Sequence, residues 1–446
     1  MNYPEDQFSY HIITYGCQMN VRDSEIIAGM LARVGYEEQP VAEKADLVIF
    51  NTCSVRHSAE NKVYSKLGEY LKLKQRRPDM IVAFGGCMAQ LPEVIKKVKR
   101  LGADIVFGTH NLHELPSLVD EFRHTHKKVV RVWQQHGEVM EDLPSLRKEG
   151  LSAFVNIMYG CNNFCSYCIV PYTRGRERSR HPRDIINEVE RLAGEGYKEV
   201  TFLGQNVNSF GSGLNEEYDF ADLLMMADKV DGLDRIRFTT SHPKDISDKL
   251  IDTVAAGDKI CEHIHVPLQA GSNRILQRMN RGYSREHYLD LVTRMREQIP
   301  GVAITSDLIV GFPGETEDDF CETLDMVQQA RFDAAFTFLY SIRTGTKAAL
   351  LDDQIDLTIK KGRLLRLNKL QYSIAADLNR ELEGTIQEVL VEGPSKTNED
   401  RLTARTRSNR IVIFTGPPDL IGKLINVRIT KGKTFSLFAE TIQIPK

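Results

Sequence analysis

Short β-rich runs alternate with helical patterns along most of this chain, and that alternation limits the fold more than anything else in it. β-rich runs lie at 10–15, 46–51, 80–84 and 104–108, each followed by a helical pattern, at 23–34, 58–74, 91–99 and 112–122. Such a β-α series predicts a parallel sheet covered on both faces. Residues 124–150 are polar, basic and irregular and read as a linker, with a short strand at 129–133.

A second series follows, with strands predicted at 152–158, 199–203, 235–239, 262–267, 303–309 and 335–339 and helical stretches between them. Six units are too few to close an eight-stranded barrel, so an open, partial barrel is expected. A long helix is predicted over 357–382, where Leu364, Leu367, Leu370, Ile374 and Leu378 make one apolar face. From Gly384 the pattern changes to short strands and turns, which predicts a small antiparallel β-barrel. The expected α/β organisation is therefore an N-terminal domain over 1–145, a partial (β/α)6 core over 146–383 and a terminal barrel over 384–446.

The formal net charge is only −3, so no whole-chain field announces a polyanionic partner. By segment the picture differs. From 384 onward ten Lys or Arg, Lys446 among them, face six acids, an excess of +4 that leaves −7 for the rest. The first ten residues lack the basic and apolar regions of a secretory signal. No apolar run approaches the roughly 20 residues that span a bilayer, so no membrane partner is expected. The eight cysteines are then expected in a reducing cytoplasm, where spaced cysteines suggest metal or redox chemistry.

Cys161, Cys165 and Cys168 lie four and then three residues apart, just after the first barrel strand. Three thiolates so placed can hold three irons of a 4Fe-4S cluster and leave the fourth open to a small molecule. Zinc generally takes four ligands in a structural site, and no fourth Cys or His lies at a short fixed spacing. Phe164, Tyr167 and Ile169 would limit water around such a cluster.

Cys17, Cys53 and Cys87 are far apart in sequence, but each falls just past one of the first three predicted strands. The carboxyl ends of parallel strands share one edge, where open α/β sheets bind ligands. The three thiolates are expected to form a second three-ligand site, with Gly85 and Gly86 permitting close backbone approach. Cys261 and Cys321 show no such pattern and read as packing residues.

The Cys161–Cys168 motif resembles that of the radical S-adenosylmethionine enzymes. The two cysteine sets, the domain order and three local strings together resemble the methylthiotransferases over essentially the whole chain. The strings are Thr14-Tyr15-Gly16-Cys17-Gln18-Met19-Asn20, Asn51-Thr52-Cys53-Ser54-Val55-Arg56 and Arg174-Gly175-Arg176-Glu177-Arg178-Ser179-Arg180. They resemble the bacterial tRNA branch of that family rather than the branches acting on a ribosomal protein or on threonylcarbamoyladenosine. The last segment resembles a TRAM domain, a small RNA-binding barrel.

That resemblance implies insertion of a methylthio group at C2 of an isopentenylated adenosine beside the anticodon of tRNA. It implies two 4Fe-4S clusters and S-adenosylmethionine, spent both as methyl donor and as source of a 5′-deoxyadenosyl radical. The auxiliary cluster would sit on Cys17, Cys53 and Cys87, and the radical-forming one on Cys161, Cys165 and Cys168. An outside electron donor such as flavodoxin and a sulfur donor are implied as further partners, and the chain is expected to act as a monomer. A methylthiotransferase for a different substrate, and a non-catalytic iron–sulfur carrier or RNA-binding sensor, are the alternatives.

Gln205, Ser241, Gln269 and Asp307 fall at barrel strand ends and are candidates to line a cofactor pocket, or are ordinary polar residues there. The run Gly311-Phe312-Pro313-Gly314-Glu315 either lets backbone approach the cofactor or makes a turn. Arg174, Arg176, Arg178, Arg180 and Arg183 crowd the segment after the cluster loop. They read either as a solvated loop or as phosphate contacts to RNA. Arg401, Arg405, Arg407 and Arg410 on a predicted hairpin raise the same choice.

Overall fold

The structure is a computed structural model that describes residues 8–54, 57–135, 137, 139–147, 150–214, 217–396 and 398–442. Val55 and Arg56 of the second string, and Lys446, lie outside the described residues.

The N-terminal domain is a six-stranded parallel sheet. Its centre is built from Ser9–Tyr15, Leu47–Thr52 and Ile81–Gly86, flanked by Glu37–Glu38 on one side and by Ile105–Phe107 and Val129–Arg131 on the other. Leu47–Thr52 and Ile81–Gly86 are buried along their whole length, as a sheet covered on both faces requires. The first helix, Gln18–Arg33, begins five residues before the sequence-based start at 23, because Cys17 caps it and Asn20 reaches back to the cap.

The segment read as a linker is partly built into the fold. Val129–Arg131 completes the sheet edge, and Leu143 packs on the N-terminal core. A Cβ on Gly29 would meet the Pro144 backbone at 2.5 Å, so the first helix accepts the connector only because it carries glycine there.

The core carries six strands, Ser152–Asn156, Glu199–Leu203, Arg235–Phe238, His263–His265, Ala303–Val310 and Ala334–Leu339. The first three form one parallel sheet and the last three another, and a parallel bridge between Ile236 and Ile260 links the two. The open, partial barrel follows the expectation. The helix Leu357–Arg380 packs on the last strand.

The C-terminal unit is a closed five-stranded barrel around Val389, Val391, Ala404, Val412 and Val427. It docks at the amino ends of the core strands. Arg235, wholly buried, donates to the Arg405 carbonyl at 2.6 Å and to Glu388 Oε1 at 3.0 Å. Arg237 donates to the carbonyls of Thr406 and Arg407 at 2.9 and 2.8 Å.

Candidate active site

Each N-terminal cysteine follows a strand. Cys17 caps the helix Gln18–Arg33, where the unpaired N–H groups and the helix dipole favour a thiolate. Hydrogen bonding with Cys53 holds its thiol down at about 5, against burial and with help from the Arg174 charge. Cys87 is fully buried; burial pushes its thiol up, while Arg174 opposes that.

Two asparagines hold the edge in place. Asn51 Nδ2 donates to the Asn20 carbonyl at 2.8 Å, and Asn20 Nδ2 donates to Asn51 Oδ1 at 3.2 Å. Thr52 Oγ1 donates to the Gly85 carbonyl at 2.7 Å. Gly86 has φ +88, and a Cβ there would meet the Thr52 carbonyl oxygen at 2.4 Å, so close approach does demand glycine. The bracing asparagines stand in the strings quoted above, but their mutual pairing joins residues 31 apart and carried no local signal.

The second set is held by a loop pinned from both sides. Cys161 N donates to the Gly175 carbonyl at 3.1 Å, and Ser166 N and Oγ donate to the carbonyls of Met279 and Arg278 at 2.9 and 2.8 Å. Burial pushes the Cys161 thiol up to about 11 and the Cys168 thiol up to about 12. Ligation needs thiolates, so metal binding here must expel protons. Arg281 Nη1 lies 3.2 Å from Cys165 Sγ and is itself buried.

Among the described residues, no three His, Cys, Asp or Glu side chains converge closely enough for one metal ion. A single-ion zinc site is therefore not preformed. A cluster distributes its cysteines over different irons, and two sets of three buried or half-buried thiols suit that donor chemistry. Ser241 Oγ is buried with no hydrogen-bond partner among the described residues.

Both sets open on one cavity of about 940 Å³, lined by Cys17 and Cys53 of the first set and Cys168 of the second. Gln269 and Asp307 line it as well. Gln205 instead braces the loop, its Oε1 accepting from Gly160 N at 2.5 Å. In the Gly311–Glu315 run the first glycine N donates to Glu315 Oε2 at 2.7 Å and Arg363 pairs with the same carboxylate, so the run is a pinned turn. The cavity continues past Phe336 and Phe338 to Phe435 of the C-terminal barrel. This aromatic wall was not singled out in the sequence, although alternate residues of Ala334–Leu339 pointing one way could have signalled it.

Several of the candidate arginines are paired with acids. Arg174 is buried and pairs with Asp23 at 2.6 Å, and Arg180 is buried between Glu141 and Glu188 at 2.7 Å each. Arg407 holds Glu262 at 2.7 Å, Arg405 holds Glu392 at 2.6 Å and Arg410 pairs with Asp333. Their cationic heads are paired with acids in this structure. Arg178 is half-buried and donates to the Gly137 carbonyl at 2.8 Å. Arg176, Arg183 and Arg401 are exposed. Cys261 is buried as expected, whereas Cys321 is exposed on the helix Glu317–Ala330 and is not a packing residue.

Comparison with known proteins agrees with this layout. Residues 155–327 match the Radical SAM superfamily, 9–108 match Uncharacterized protein family UPF0004 and 380–442 match the TRAM domain. A tRNA-2-methylthio-N(6)-dimethylallyladenosine synthase of Syntrophomonas wolfei is 68% identical, the match covering 97% of each chain. This chain belongs to that synthase family. A second member, from Carboxydothermus hydrogenoformans, is 54% identical over 96% of this chain and 98% of its own. Among solved structures, the radical S-adenosylmethionine methyltransferase TsrM from Kitasatospora setae superposes with a TM-score of 0.57 at 13% identity. It covers 77% of this chain and 74% of its own, a likeness of fold. Membership of the radical S-adenosylmethionine enzymes implies a 4Fe-4S cluster and S-adenosylmethionine, and membership of the synthase family implies a tRNA substrate. Among the described residues, no helix is long and apolar enough to cross a membrane.

Proposed function

We propose that this chain inserts a methylthio group at C2 of N6-isopentenyladenosine next to the anticodon, at position 37 of tRNA, working in the cytoplasm. The observation that carries the reading is the single cavity of about 940 Å³ on which both cysteine sets and an aromatic wall open. That volume lies at the upper end of the range for small-molecule sites. On this reading Cys17, Cys53 and Cys87 hold an auxiliary cluster, and Cys161, Cys165 and Cys168 hold the cluster that binds S-adenosylmethionine. When bound, these groups supply a radical able to remove the C2 hydrogen and a methylated sulfur to replace it.

The chain's own residues supply position and exclusion of water. Gly175 and Gln205 hold the loop of the second set through Cys161 N and Gly160 N. Asn20 and Asn51 hold the edge that carries the first set. Gln269 and Asp307 line the same cavity as Cys168 and the aromatic wall, where the cofactor's polar groups would need partners. Phe336 and Phe338 offer an apolar surface suited to a splayed base and its isopentenyl tail. The reaction also needs an outside one-electron donor of the flavodoxin type and a source of sulfur.

Nucleoside mass spectrometry of tRNA from cells lacking this chain tests the reading. The methylthio nucleoside should vanish and isopentenyladenosine should accumulate. Persistence of the methylthio form in cells with no paralogue would overturn it.

A further inference from the structure

Arg174 lies between the two cysteine sets. It follows the short helix Val170–Thr173, which starts two residues after Cys168. Its Nε is 3.2 Å from Cys87 Sγ and its Nη2 is 2.6 Å from Asp23 Oδ2. The backbone around it is fixed. Thr109 of the N-terminal domain donates to the Thr173 carbonyl at 2.7 Å, and Arg174 N donates to the Val170 carbonyl at 2.8 Å. The next residue, Gly175, accepts from Cys161 N at 3.1 Å. Two consecutive residues thus touch the two sets, Arg174 the first through Cys87 and Gly175 the second through Cys161.

A guanidinium this buried is costly unless its donors are used. Here Asp23 balances the charge, and the Nε donor is aimed at sulfur. Arg281 repeats the arrangement at the other set, with Nη1 at 3.2 Å from Cys165 Sγ. Donors to a ligating sulfur favour the more negative, reduced state of a cluster and fix the ligand's orientation.

We propose that Arg174 is a positioning residue of the auxiliary set, orienting the Cys87 sulfur and making the cluster held there easier to reduce. This rests on the reading that Cys17, Cys53 and Cys87 hold a cluster. It adds a residue that ties the auxiliary set to the segment carrying the radical-forming loop.

The test uses the full chain with C161A, C165A and C168A together, so that only the auxiliary cluster can form. After anaerobic reconstitution, its midpoint potential is read by EPR-monitored titration. R174Q should shift the midpoint negative. R174K, which keeps the charge and loses the planar fork, should shift it less. Equal midpoints in the parent, R174Q and R174K would overturn the proposal and leave the cluster reading intact. No cluster in the parent would overturn both. If R174Q binds no iron, R174K alone decides by the same criterion. Loss of iron from both, with circular dichroism unchanged, supports the orienting role.

Discussion

Arg22, on the first helix of the N-terminal domain, donates through Nη2 to Glu188 Oε1 of the core at 2.9 Å, and both side chains are buried. Arg147 and Arg180 reach the same carboxylate at 2.5 and 2.7 Å. Burial would raise the Glu188 carboxyl, but the three guanidinium charges outweigh it and hold the group below its ordinary range. This knot joins the N-terminal sheet, the connector and the core, and so helps fix the distance between the two cysteine sets. Glu188→Ala would leave three buried cations short of an anion and should cost about 3–5 kcal/mol, read by urea denaturation under anaerobic conditions. A loss within about 0.5 kcal/mol, as for an ordinary surface change, would contradict the knot's role.

Two buried imidazoles give the fold an acid limit. Burial, with the charge of Arg237, pushes His263 from 6.5 down to about 3, and burial, with Arg281 and Lys244, pushes His242 from 6.5 down to about 2. Both rings are neutral when folded and take up a proton on unfolding below pH 6.5. Their contribution is therefore complete above about pH 7 and is lost as pH falls, by up to about 1.4 kcal/mol per pH unit for each ring. Stability measured from pH 7.5 to 5 should fall less steeply in His263→Gln than in the parent. Parallel curves would refute the assignment.

RNA contact should follow exposure rather than arginine content. Arg401 is exposed beside Phe438, whereas Arg180 is buried among acids. If Arg401 meets a phosphate, Arg401→Ala should lower the slope of log affinity for an anticodon stem-loop against log salt by about 1. Arg180→Ala should leave that slope alone and lower thermal stability instead. The reverse pattern would show that the exposed arginines are solvated and nothing more.

Phe336 is 58% exposed on the cavity side of the last core strand, in edge contact with His265 at 6.1 Å between ring centroids. Little folding energy depends on an aromatic that stays wet. Phe336→Ala should therefore fold normally and bind isopentenylated stem-loop more weakly, by on the order of 1–3 kcal/mol. The loss should be smaller for the same stem-loop lacking the isopentenyl group. Equal losses for both would assign the ring to stacking alone.

The strand-end positions of Cys17, Cys53 and Cys87 were legible because strand periodicity and turn glycines are local signals. The same holds for the six core strands and the terminal barrel, except that Ile411–Phe414 and Leu437–Thr441 pair parallel where an antiparallel barrel was expected. The arginines were not legible. Arg174 finds Asp23 at a separation of 151 residues, Arg22 finds Glu188 at 166 and Arg407 finds Glu262 at 145. A basic run looks the same in sequence whether its partners are phosphates or distant carboxylates. Only the packing of one domain against another decides. Cys321 went astray for a related reason, since its helix is established by sequence pattern but its solvent-facing side is not.

The two-cluster claim is tested most directly by iron and sulfide analysis with Mössbauer spectroscopy on the anaerobically reconstituted chain and two triple variants. One variant carries C17A, C53A and C87A, the other C161A, C165A and C168A. Two 4Fe-4S clusters in the parent and one in each variant is the result predicted. A parent with a single cluster, or a variant that loses both, would contradict it.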